Sequence, residues 1–110
     1  MYDKDSLSFL GLKQFGDRLA ELRIKHNISA REMSLCVGHG PHYISHIENY
    51  CSYPSMESFL YICDYLQITP KQFFDLDLDN PARLNDLMKN ISKLSPDAFE
   101  MVHLLTLCLK

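Results

Sequence analysis

Apolar residues recur along the chain at helical spacing in successive stretches, each bounded by a residue suited to opening or closing a helix. Phe15, Leu19 and Leu22 share one face and predict a helix over about 15–26. Asn27 and Ile28 form a connector. Ser29 then offers a hydroxyl to an orphan amide, and Glu32 three residues on completes a capping box. This second helix turns Met33 and Val37 inward and stops at Gly38, whose missing side chain suits a left-handed residue.

A third helix is expected over about 40–49, with Pro41 in its first turn and Ile44 and Ile47 inward. Ser55 caps a fourth, with Met56, Phe59, Leu60, Cys63 and Leu66 as its apolar stripe. Thr69-Pro70-Lys71-Gln72 is another capping box, opening a short fifth helix through Phe73 and Phe74. Asp75 to Asp79 alternates like an edge strand, but with no partner strand evident it reads as a charged linker. Asn80-Pro81 and Ser95-Pro96 open two last helices, about 81–93 and 96–108.

The 110 residues, 46% hydrophobic and 23% charged, are enough for one domain with its own core and argue against wholesale disorder. No apolar run approaches a membrane span, and no cationic segment with an apolar sequel marks an export signal. Cys36, Cys51, Cys63 and Cys108 lack paired spacing and are read as reduced thiols of a cytoplasmic protein. The net charge of −3 counts against a nucleic-acid partner, but its distribution softens this. Residues 13–50 carry five Lys/Arg against four Asp/Glu and four of the five histidines, whereas residues 51–110 carry five against eight. An anionic partner should therefore meet the first half.

Two short helices joined by a glycine-containing turn are the pattern of a helix-turn-helix. The stretch Phe15-Gly-Asp-Arg-Leu, Leu22-Arg23, Ile28-Ser29, Met33, Val37-Gly38, Tyr43-Ile-Ser-His-Ile-Glu-Asn49, Pro54-Ser55, Leu66, Ile68-Thr69 and Phe73-Phe74 resembles the phage-repressor-like (XRE-type, Cro-like) helix-turn-helix family over residues 12–76. The resemblance implies an all-α, five-helix lambda-repressor-like domain (13–78); outside it, residues 1–12 are read as an N-terminal arm, a tail or part of the core, and the two C-terminal helices (79–110) as a dimerisation extension. It implies a sequence-specific transcriptional regulator that binds double-stranded DNA as a homodimer, with helix 40–49 in the major groove.

Carried over by position, Gly40, His42, Ser45 and His46, together with Pro41, fall where bases are read. Arg31 and Tyr43, with Ala30 beside them, fall where the backbone is gripped. Lys25 and Lys13 are the further cations in reach of phosphates. Arg23 and Glu48 match an internal salt bridge. The departures are informative. Ala30 replaces a glutamine, Tyr50 replaces a glycine after the third helix, and the reading helix lacks Arg, Lys and Gln. Its base-facing positions therefore lack the commonest bidentate contacts. About four to six neutralised phosphates per dimer imply a log–log salt slope of roughly −4 to −5. Mild acid should strengthen binding if His39, His42 and His46 face the DNA. The sparse cations also support an alternative: the scaffold serving as a protein-interaction or antitoxin-like module with weak or no DNA binding.

Cys36, His39, His42 and His46 have ligand-compatible spacing, but the helix-turn-helix already accounts for the histidines, and no metal is expected. No nucleophile–base pairing argues for catalysis, and neither a cofactor nor a small-molecule ligand is indicated. The last helix is apolar around most of its circumference. One face is expected to pack on Leu84, Leu87, Met88 and Ile91, and the other, with Phe99, Val102, Leu105 and Leu109, to meet a second subunit.

Overall fold

The computed structural model describes residues 11–109, which form seven helices and no strand. These are α1 (Leu12–Lys25), α2 (Ala30–Cys36), α3 (Tyr43–Glu48), α4 (Met56–Leu66), α5 (Pro70–Phe74), α6 (Pro81–Ser92) and α7 (Pro96–Cys108). The arm expected over 1–12 falls outside the described residues as far as residue 10; Gly11 caps α1 and Leu12 is already helical.

The starts follow the expected chemistry. Ser29, Ser55, Asn80 and Ser95 each accept from the backbone N–H three residues on, and Thr69 with Gln72 closes a full capping box. At Ser29 only the Ser half of the box forms. The third helix departs from expectation. It is six residues long rather than ten, because Pro41 lies in a turn closed by Tyr43 N–H to the Gly40 carbonyl (3.2 Å), and His42 is the N-cap.

The ends share one device that sequence shows only at Gly38. After each of α1 to α4 a residue takes the left-handed conformation: Asn27 (φ 57°), Gly38 (83°), Tyr50 (67°) and Gln67 (59°). The next amide bonds back five residues, Ile28 to Arg23, His39 to Ser34, Cys51 to His46 and Ile68 to Cys63. Each is a Schellman closure, which satisfies the last carbonyls and turns the chain sharply. Ile28 and Ile68, both buried, pin two of these turns into the core.

The core joins Phe15, Leu19 and Leu22 of α1 to Met33, Ile44, Ile47, Phe59, Ile62, Cys63, Leu66 and Phe73. Phe15, Phe59 and Phe73 form an aromatic cluster with centroids 4.9–5.8 Å apart. The stripe of α4 is rotated from that expected. Ile62 is fully buried, while Met56 and Leu60 are exposed at 71% and 49%, since the inward face centres on 59, 62, 63 and 66. Burial pushes the Cys63 thiol up to about 11.

Arg18 is the least expected core member, 2% exposed. Its Nε donates to the Phe73 carbonyl (2.7 Å), Nη2 to those of Gln72 and Asp75 (both 2.8 Å), and Nη1 to Leu78 O (3.1 Å) and Glu21 Oε1 (3.2 Å). All five guanidinium donors are used. The side chain caps the C-terminus of α5 and holds the 75–78 linker against α1.

Beyond the linker, only the first turn of α6 docks. Pro81 is buried, Ala82 touches the core, and the Asn85 amide bonds Gln67 O (3.0 Å) and the Gln72 side chain. No residue of α7 is buried. Of Leu84, Leu87, Met88 and Ile91, expected to absorb one face of α7, only Ile91 is half-covered; the others stay 37%, 54% and 58% exposed.

Arg18→Met retains the apolar stem and removes every donor, so a loss of about 3 kcal/mol with an unchanged urea slope is expected in equilibrium unfolding. Gln67→Gly should act oppositely. It relieves a left-handed side chain and leaves the backbone bonds intact, raising stability by about 0.5–1 kcal/mol in the same measurement.

Candidate nucleic-acid interface

Helix α3 is positioned from within by three neighbours. Ser34 of α2, fully buried, donates its hydroxyl to Ala30 O (2.7 Å) and accepts from Ile44 N–H (2.9 Å). An orphan amide in the first turn of α3 is thus satisfied from another helix, since the N-cap His42 makes no side-chain cap bond. Nothing local in the sequence signals this role for Ser34.

Arg23 of α1 meets Glu48 of α3 in a bidentate pair, Nε to Oε2 2.8 Å and Nη2 to Oε1 2.9 Å. Its remaining nitrogen donates to Ile28 O (2.9 Å), so one guanidinium links α1, α3 and the α1–α2 connector. Glu48 pushes the Arg23 guanidinium further up, against the cost of its burial.

The exit of α3 is fixed by Tyr50. Family glycine is replaced there, yet Asn49 stays at φ −92° and Tyr50 itself takes the left-handed conformation. Its hydroxyl donates to Asp17 Oδ1 (2.6 Å), which offsets the unfavourable backbone. Tyr50 first, and Lys13 second, hold the Asp17 carboxyl below its usual range. Gly16 sits beneath: a Cβ there would lie 2.7 Å from Ile47 O and 3.0 Å from the Tyr50 ring, so α1 and α3 meet at backbone distance.

On the outer side, Gly40, His42 and His46 are exposed and Ser45 is half-exposed. Gly40 and His42 belong to the turn rather than to the helix, but His46 N–H bonds His42 O (3.0 Å), so the imidazoles remain one turn apart. Ser45 donates to His42 O (3.0 Å), which leaves its oxygen to accept. A Cβ at Gly40 would meet nothing within 4 Å.

Three expected participants are placed differently. His39 bonds Ser58 (2.9 Å) and stacks on Tyr43, rings 3.6 Å apart and 5° from parallel. It buttresses Tyr43 from behind instead of joining His42 and His46. Lys25 reaches Asp79 (2.9 Å), because the acidic linker returns across the end of α1, and Lys13 pairs with Asp17 (3.0 Å). Arg31, exposed at the start of α2, makes no ion pair among the described residues.

A cleft of about 690 Å³ opens between the end of α2 and α4, lined by Cys36, His39, Glu57, Tyr61, Asp64 and Tyr65 among others. It contains no Lys or Arg, so it adds nothing to phosphate binding. Among the described residues no three His, Cys, Asp or Glu side chains converge as metal ligands. No helix among the described residues is long and apolar enough to cross a membrane.

A family model for a helix-turn-helix domain matches residues 16–77. No curated protein and no solved structure matches the chain.

Ser34→Ala would leave the buried Ile44 amide without a partner. A loss of about 1–2 kcal/mol is expected, with hydrogen exchange at Ile44 accelerated well beyond that at Leu19 of α1.

Proposed function

The chain belongs to the helix-turn-helix domain family, and on that premise we propose that it is a cytoplasmic, sequence-specific transcriptional regulator that reads DNA as a homodimer. The observation that carries the reading is the two-sidedness of α3. Ile44 and Ile47 are buried, Ser34, Arg23 and Tyr50 fix its start, flank and exit, and the opposite side presents solvent-accessible polar groups. A rigid element with a free polar edge is what base readout requires.

In this reading α3 enters the major groove, and His42, Ser45 and His46, with the open Gly40, face the base edges. A neutral imidazole donates or accepts once, so each histidine discriminates less sharply than a guanidinium fork. Tyr43, braced by His39, and Arg31 hold the backbone. Lys25 joins the backbone set only where a phosphate displaces Asp79 from it. The region 79–110 supplies dimerisation, with Phe99, Leu105 and Leu109 exposed and Val102 half-covered. Half-sites are then separated by about 34–36 Å, one turn of the duplex. The chemistry of the face is binding; no cofactor, resident metal, effector or catalytic step enters the proposal.

A second reading, a protein-interaction or antitoxin-like module on this scaffold, is favoured by one specific observation: Lys13 and Lys25 are both paired with carboxylates, leaving Arg31 the unpaired cation of α1–α3 among the described residues. The same observation lowers the salt dependence expected from sequence. With two to four phosphates neutralised per dimer, the log–log slope is roughly −2 to −4.

Selection from a random duplex pool tests both. Recovery of a palindrome, with affinity reduced about 10-fold or more by His42→Ala and a slope in that range, is expected. An empty selection transfers the protein to the second reading.

A further inference from the structure

Ten large apolar side chains of the α6–α7 hairpin are exposed: besides Leu84, Leu87 and Met88 these include Leu94, Phe99 and Leu105, the group averaging about half exposure. They amount to about 900 Å² of apolar surface per chain, against the ~800 Å² per partner of a standard interface. Helices of 12 and 13 residues are at the lower limit of independent stability in water, and here the domain supports neither beyond Asn85 of α6.

Charge indicates what covers them. Around α6, Arg83, Lys89 and Lys93 outnumber Asp86, whereas α7 carries Asp97 and Glu100. The hairpin is neutral overall with one helix of each sign. Among the described residues no ion pair joins α6 to α7 within the chain, so these charges remain available. A two-fold axis that lays α6 of one copy on α7 of the other matches both signs twice, which makes the surface self-complementary.

We infer that the α6–α7 hairpin is completed by the same hairpin of a second copy, α6 against α7, and that it is folded only in that pairing. The inference rests on the homodimer in the function proposed above and adds its geometry and its coupling to folding. In this arrangement association and the ordering of residues 81–108 are one equilibrium, while residues 12–78 keep their fold in the monomer. Chain concentration therefore sets the fraction of paired reading heads.

The test uses the full chain without DNA. Sedimentation and far-UV circular dichroism are followed from tens of nanomolar to tens of micromolar. The expected result is a monomer–dimer transition in which dilution removes the helical signal of 12 plus 13 residues. The Cys63 thiol stays unreactive throughout as a marker of the intact core. Leu105→Glu, at a side chain exposed in the single chain, should give a monomer at all concentrations with the same reduced helicity and Cys63 still protected. Lys89→Glu and Glu100→Lys should each dimerise at least 10-fold more weakly, and their equimolar mixture should recover as heterodimer.

A wild-type chain monomeric at tens of micromolar, or a monomer retaining full helicity, overturns the inference. So does a mixture no tighter than its components. A chain that pairs as described yet selects no duplex sustains the inference and removes the DNA reading instead.

Discussion

Two arginines five residues apart on α1 organise everything around them. Arg18 reaches to the end of α5 and the linker, donating to four carbonyls and one carboxylate. Arg23 reaches to α3 and the α1–α2 connector. Burying a guanidinium is costly, and the cost is met because every donor of Arg18 has an acceptor already in place. Those acceptors include the Gln72 and Phe73 carbonyls in the last turn of α5, where helical amides run out. The charge needs the helix end, and the helix end needs the charge. From this exchange follow where α5 stops, where the linker runs, and where α6 begins.

The parts of this design legible in sequence are those governed by neighbours in the chain. Helix starts were readable because a cap and its amide lie three residues apart, as at Ser55, Thr69 and Ser95. Helix ends were readable only at Gly38. Asn27 tolerates a left-handed backbone better than most residues, but the same closure at Tyr50 and Gln67 uses residues with no preference for it, and tertiary packing decides there. The start of α3 was misplaced because Pro41 suits a turn as well as a first helical position. On α4, Met56 and Leu60 fit an apolar stripe as well as Ile62 does, and only the direction of the core separates them. Arg18 and Ser34 were overlooked for a different reason. Their partners are 54–60 and 10 residues away in sequence, and no spacing rule reaches that far.

The outer side of α3 poses a question of electrostatics more than of shape. Its rigid, polar outer face suits the proposed readout, yet the surrounding lysines are engaged by Asp17 and Asp79. Exposed pairs of this kind are worth little and are exchangeable for a phosphate, at the cost of freeing a carboxylate nearby. Such a surface would favour discrimination over raw attraction: little is gained from an arbitrary duplex, so what the imidazoles and hydroxyls contribute weighs proportionately more.

Gly16 has an implication for how such a protein can change over generations. Because α1 and α3 touch at backbone distance there, any side chain at position 16 would press on the Ile47 carbonyl and displace the rod. If the proposed reading holds, new preferences would be written by substitution at 40, 42, 45 and 46, a small alphabet on a fixed mount. Drift could then retarget the molecule through a few point changes while its chassis is inherited untouched.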